Sequence, residues 1–162
     1  MSQAATPKEQ TITRQQLIER LNDDLSREYQ AIIAYVVYSQ VLKGAEYMSI
    51  AQELTKHAGE ELQHALKVSK HIDYLGGMPT VTPKAVVQSE DAREMLRADL
   101  NNEAETIRQY RERLVQCEAL QEYAIAEDLR EILRDEQEHL IDLATALGEN
   151  PPNVSSRASG GE

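Results

Sequence analysis

Phenylalanine and tryptophan are absent from this 162-residue chain. What remains is rich in Ala, Leu, Glu, Gln and Arg, a helix-prone composition. A single cysteine, Cys117, excludes an internal disulfide and points to a reducing, cytoplasmic compartment. No apolar run approaches the ~18 residues of a membrane span, so no membrane role is expected. The opening residues MSQAATPKEQTITRQQ lack the apolar stretch of a secretory leader. Basic residues are scarce: 17 Lys and Arg stand against 28 Asp and Glu, a net charge of −11. That balance argues against nucleic acid as a partner, because neutralising phosphates takes clustered Lys and Arg. It suits the attraction of cations, although solubility alone accounts for it equally well.

Glycine and proline are few and punctuate the chain rather than pervade it. Thr13 and Gln16 form a capping box that predicts the start of a first helix. Its apolar stripe runs Leu17, Leu21, Leu25, Glu28, Ile32, Tyr35, Ser39, Leu42. Gly44 breaks it. A second stripe carries Ile50, Leu54, His57, Glu61, His64, Val68, His71 and Leu75 and ends at Gly76-Gly77. Residues 78–88 hold two prolines and no helical period, so they read as a connection. Ser89 is the expected cap of a third helix with Leu96, Leu100, Glu103, Ile107, Tyr110, Leu114 and Cys117 on its stripe. The break after Cys117 has neither Gly nor Pro. A fourth stripe spans Leu129 to Leu147, with Gly148 closing it.

The expectation is an all-α protein: an antiparallel four-helix bundle with one long crossover between helices two and three. Residues 1–12 read as a flexible arm, 13–148 as the bundle and 149–162 as a flexible tail. Each helix has roughly 28–31 residues, or about 42–46 Å.

The chemistry lies in a repeat. Glu61 stands as far along the chain from Glu28 as Glu136 does from Glu103. Each second Glu begins a Glu-x-x-His, ending at His64 and His139. One such motif arises readily by chance on a charged helix, whereas two in identical register do not. All four Glu sit on apolar stripes, where a buried unpaired carboxylate costs several kcal/mol. Two divalent cations resolve the conflict: four carboxylates balance two M²⁺, and two neutral imidazoles complete the shells. Residues at i and i+3 share a helix face, so each Glu-x-x-His can grip one ion. Glu61 and Glu136 are the expected bridges, with Glu28 and Glu103 terminal. Carboxylate and imidazole donors suit iron or manganese, and zinc can substitute.

These segments resemble the bacterioferritins of the ferritin-like superfamily over residues 17–147, through LNDDLSREYQAIIAY, GEELQHALKVSKHIDYLGGMPT, DAREMLRADLNNEAE and EILRDEQEHL. The resemblance implies a di-iron ferroxidase site at Glu28, Glu61, His64, Glu103, Glu136 and His139, holding two iron ions per subunit. It implies oxidation of Fe²⁺ by O₂ or H₂O₂ and storage of the ferric product in a homo-oligomeric cage. Two positions depart from the family. Leu62 stands where bacterioferritins place the methionine that binds haem, so haem is not expected. The tail ENPPNVSSRASGGE does not read as the family's short fifth helix, which leaves the assembly open between a dimer, a twelve-subunit and a twenty-four-subunit shell.

Tyr35 and Tyr110 each lie seven residues beyond a lone Glu. They are candidate phenols near the metals, Tyr35 also by resemblance, or else buried tyrosines with satisfied hydroxyls. His57 and His71 read as structural groups or as an accessory iron route. Glu60 reads as a solvated residue or one facing a shell interior. Cys117 reads as a small buried hydrophobe. Alternatives on the same site are a rubrerythrin-like peroxidase, although paired rubredoxin cysteines are missing, a manganese catalase, and a non-catalytic metal-binding module.

Overall fold

A computed structural model describes residues 12–155. The expected arm lies outside the described residues except for Ile12. The expected tail lies outside them beyond Ser155. Among the described residues there are four long helices and no strand: α1 (Arg14–Val41), α2 (Met48–Tyr74), α3 (Ala92–Ala119) and α4 (Tyr123–Ala146). None is long and apolar enough to cross a membrane.

Local sequence explains the helix ends. Thr13 accepts from the Gln16 amide while the Gln16 side chain accepts from the Thr13 amide, which completes the capping box. After α1, Gly44 at φ +117° and a short 3₁₀ turn (Ala45–Tyr47) lead into α2. Gly76 at φ +93° closes α2, with the Gly77 amide returning to the Ile72 carbonyl, and Gly77 lets α1 pack close, since a Cβ there would stand 2.5 Å from the Ile18 methyl. The cap of α3 is Asp91, not Ser89: the Asp91 carboxylate accepts from the Glu94 amide. Ser89 accepts instead from the Asp91 amide and donates to Glu94. A carboxylate at the helix start also faces the positive end of the helix dipole, which favours Asp over Ser. The turn before α4 uses Gln121 at φ +60°, which explains a break without Gly or Pro.

α1 pairs with α2, and α3 with α4. Residues 75–91 then run along α1 as a crossover. Asn22 holds Met78 and Thr80, the Lys84 amide donates to Ser26, Gln30 donates to Ala85, and the Tyr38 hydroxyl donates to Val87. As positions rise along α1 their partners fall along α3, so these helices are antiparallel. Asp24 meets Arg113, Glu28 meets Tyr110, and Tyr35 meets Glu103. The same holds for α2 and α4, through His57–Asp142, Glu60–His139, His64–Asp135, Lys67–Glu131 and His71–Asp128.

The apolar core has two parts. One gathers Tyr35, Leu54, Met95, Leu100 and Leu143; the other gathers Leu17, Leu25, Val68, Leu129 and Ile132. Their stripes drift by one position from the expected ones. Tyr38 is buried rather than Ser39, and Arg113 rather than Leu114. A straight helix turns once per 3.6 residues, so alternating steps of three and four slip slowly off one face.

Arg113 is fully buried against Asp24, with Nε donating at 2.6 Å and Nη2 at 3.1 Å. Arg27 adds a third contact to Asp24 at 2.7 Å. Removing one partner of a buried pair leaves the other charge uncompensated. Arg113→Ala is therefore expected to lower the unfolding free energy by about 3 kcal/mol in urea denaturation. A loss below about 1 kcal/mol would mean that water reaches Asp24 freely.

Candidate metal centre

Glu28, Glu61, His64, Glu103, Glu136 and His139 converge at the middle of the bundle, and none is more than 3% exposed. Helix geometry brings them there. Each lone Glu comes from the centre of α1 or α3, and each Glu-x-x-His occupies one turn of α2 or α4.

Two overlapping donor sets result. Glu28, Glu61, His64 and Glu136 form one; Glu61, Glu103, Glu136 and His139 form the other. Within each set, one ligand atom per residue lies within 4.8 Å of the rest. Glu61 and Glu136 belong to both. His64 Nδ1 lies 3.1 Å from Glu61, 3.3 Å from Glu136 and 3.6 Å from Glu28. His139 Nδ1 lies 2.9 Å from Glu61, 3.2 Å from Glu136 and 3.8 Å from Glu103.

Both rings present Nδ1 to the centre because their other nitrogens are held outside it. His64 Nε2 meets Asp135 at 3.0 Å, and His139 Nε2 meets Glu60 at 2.8 Å. A carboxylate on the far nitrogen fixes the tautomer and leaves the inner lone pair free to ligate. Sequence reasoning missed these two orienting residues. The signal was available: each directly precedes the Glu of the opposite motif. The Tyr35 hydroxyl donates to Glu103, and Tyr110 donates to Glu28 in the same way. The two phenols make equivalent hydrogen bonds, and Tyr35 also packs edge-on against the His57 and His139 rings.

The donors fit a pair of cations. Glu28 Oε2, Glu61 Oε1, Glu103 Oε2, both Glu136 oxygens and His139 Nδ1 are buried without a hydrogen-bond partner. His139 Nδ1 and Glu61 Oε1 are 2.9 Å apart, yet they do not meet in hydrogen-bond geometry. Lone pairs converging side by side on a common centre behave in this way. Protonation equilibria agree. Burial, then the charges of Glu136 and Glu28, raise Glu61 well above the carboxylate range. Burial and Glu136 push Glu103 up to about 7. Burial alone would lower His64 and His139, but the surrounding carboxylates outweigh it and raise both. Burial and Glu28 would raise Glu136, but contacts from His139 and His64 outweigh them and lower it. Without a metal, the cluster has to gather protons in its place.

The ferritin-like domain family matches residues 18–150. The chain belongs to that family. This ferritin-like chain is 33% identical over 134 residues to a bacterioferritin of Brucella melitensis biotype 1, covering 81% of itself and 82% of that protein. It is 29% identical over 125 residues to a bacterioferritin of Desulfovibrio desulfuricans, covering 76% and 70%. A solved ferritin-like, diiron-carboxylate protein from Bacillus anthracis superposes with a TM-score of 0.79 at 35% identity, over 83% of this chain and 96% of that one. The ferritin-like chain is thus bacterioferritin-like, and its carboxylate and histidine clusters suit iron.

The remaining candidates lie outside the two donor sets. His57 stacks on His139, with ring centroids 4.0 Å apart, and meets Asp142. His71 meets Asp128 at 2.6 Å at the far end of the α2–α4 row. Cys117 is fully buried, and burial pushes its thiol up to about 12. Leu62 is 49% exposed on the outer face of α2.

Proposed function

We propose that this chain is a ferroxidase of the bacterioferritin type, taking two Fe²⁺ as substrates and producing Fe³⁺ for storage and detoxification. The observation that carries the reading is the sharing of Glu61 and Glu136 by two donor sets, each completed by its own Glu and His. Bound there, each Fe²⁺ gives one electron to an oxidant of the O₂ or H₂O₂ type. With H₂O₂ the balance is complete: one molecule takes both electrons and two protons and leaves as two waters.

The residues divide the work. Glu61 and Glu136 bridge, Glu28 and Glu103 bind one ion each, and His64 and His139 ligate through Nδ1. Asp135 and Glu60 hold the imidazoles in orientation. Tyr35 and Tyr110 keep a hydroxyl on the terminal carboxylates, where protons are exchanged as charge changes. Four carboxylates neutralise two dications, so the bundle carries no unbalanced charge at its centre.

Storage adds a homo-oligomeric cage to this reading. Exposed apolar residues on α1, α2 and the crossover, among them Ile33, Val36, Leu62, Leu66 and Val81, support packing against further copies. Haem is no part of the proposal, since Leu62 offers no thioether. A reducing cytoplasm suits the free, protonated thiol of Cys117.

Stopped-flow mixing of the chelated, metal-free protein with aerobic Fe²⁺ tests the activity. The expected result is an Fe³⁺ absorbance phase saturating at two Fe²⁺ per chain, well ahead of oxidation in buffer. Oxidation no faster than in buffer would leave a non-catalytic metal protein. Native mass and iron content after repeated loading then separate storage from a catalyst holding only two ions.

A further inference from the structure

The two halves of the centre are related by one constant offset in sequence. Glu28 corresponds to Glu103, Tyr35 to Tyr110, Glu60 to Asp135, Glu61 to Glu136 and His64 to His139. The correspondence fails just outside the centre. On one side Glu53, His57 and Asp142 bring a carboxylate, an imidazole and a carboxylate within 4.8 Å of one another. Their counterparts at the same offset are Asp128, Ile132 and Lys67. Ile132 is fully buried and cannot ligate, and the Lys67 ammonium is already paired to Glu131 at 2.6 Å. One approach to the centre is lined with cation ligands, and the mirror approach is closed by an alkyl side chain beside a fixed positive charge.

We propose that Glu53, His57 and Asp142 form a third cation site, which takes a divalent ion of the Fe²⁺ class from solvent and passes it inward to the centre. The onward step rests on the di-metal reading above; binding at the outer site does not. Three observations support it. First, a surface cavity of about 210 Å³ opens on Glu53 and Asp142, with Glu46 and Ser49 also on its wall. Second, the His57 ring is only 1% exposed; its Nε2 meets Asp142 at 3.1 Å, and its Nδ1 has no hydrogen-bond partner. Third, the donor clusters share members in sequence. His57 also belongs to a cluster with Glu60 and His139, and His139 belongs to the inner set with Glu61, Glu103 and Glu136. The Glu60 carboxylate thus stands between the outer site and the centre, and an ion moving inward competes with His139 Nε2 for it.

Lys56 lies 3.8 Å from Glu53 and 3.9 Å from Glu60. It is 64% exposed, so an incoming ion displaces it at little cost. Mixed carboxylate and imidazole donors favour Fe²⁺, Mn²⁺, Co²⁺ or Zn²⁺ over Mg²⁺ or Ca²⁺.

Titration of the full-length, metal-free chain with Co²⁺, followed by calorimetry and visible absorption, tests the site without any turnover. The native chain is expected to bind three Co²⁺, with Asp142→Asn and Glu53→Gln losing the third alone. Asp142 and Glu53 are 35% and 43% exposed, and Asn still accepts the His57 hydrogen bond, so a purely structural contact survives the change. Asp128→Asn, on the mirror side, is expected to keep all three. Two Co²⁺ in the native chain, or three retained in Asp142→Asn, would overturn the outer site. Failure of the di-metal reading looks different: Glu61→Ala would then lose no ion while Asp142→Asn still did. In Fe²⁺ oxidation, Asp142→Asn is expected to be about tenfold slower at limiting Fe²⁺ and unchanged at saturation, because only delivery is impaired. A deficit that persists at saturation would overturn the delivery role.

Discussion

Glu61→Ala is expected to lose both central metal ions at once, with Fe²⁺ oxidation falling more than about a hundredfold, to the rate in buffer. Glu61 belongs to both donor sets, whereas Glu28 and Glu103 belong to one each. Glu28→Ala or Glu103→Ala should therefore leave one ion bound at the centre. This contrast separates loss of a ligand from general damage. Each of these carboxylates is buried, so a merely structural effect would be similar at all of them. Glu61→Gln keeps the shape and removes the charge; it should fold and still fail to hold the pair. Calorimetric titration with Mn²⁺ counts the ions. Two ions retained in Glu61→Ala would move the centre elsewhere.

Above pH 6.5 stability should fall with pH in the metal-free protein and stay nearly level in the metal-loaded one, where rising affinity offsets the loss. His64 and His139 are raised above their ordinary value of 6.5, and Glu61 above its ordinary 4.5. The native state therefore holds protons that the unfolded chain has released. Such groups stabilise fully below the unfolded value, and that contribution is lost as pH rises toward the native one. His57, pushed down to about 4 by burial and by His139, works the other way. Above 6.5 it is neutral in both states and adds no slope. Between pH 6.5 and 8.5 the chelated protein should thus lose stability, by on the order of 5–15 °C in melting temperature. Metal binding requires those protons to leave, so affinity climbs over the same window. At a thousandfold excess over its dissociation constant, each ion adds about 4 kcal/mol. Melting curves of chelated and Mn²⁺-loaded protein across this range provide the check. Curves that coincide would be incompatible with a buried dication pair.

Much of this centre could be read from the sequence because its geometry is local. A Glu and a His three apart share a helix face whatever the tertiary packing. Their repetition at one spacing carried the rest. Helix caps were legible where side-chain and backbone signals coincide, as at Thr13. They were misread at Ser89, where a competing Asp lies two positions on. The contacts between helices were harder to see. Asp135 orients His64 across 71 residues of sequence, and Glu60 orients His139 across 79. Each directly precedes the Glu of a motif, but that position becomes informative only once the facing helix is known. Arg113 was hidden for a related reason: the slow rotation of the helix turned its side chain inward, where a strict stripe predicts Leu114.

The constant offset between the two halves carries a historical consequence. The centre lies on an approximate internal two-fold axis, and each α-helical hairpin brings half of it. A single hairpin, bearing one Glu and one Glu-x-x-His, would complete the same six-ligand cluster by pairing with its own copy. Duplication and fusion of such a hairpin yields this topology directly, with the crossover as the splice between the two copies. Once fused, the copies were free to diverge. His57 in one and Ile132 in the other differ at the same offset, and on the proposed route that difference gives the pocket an outside and an inside.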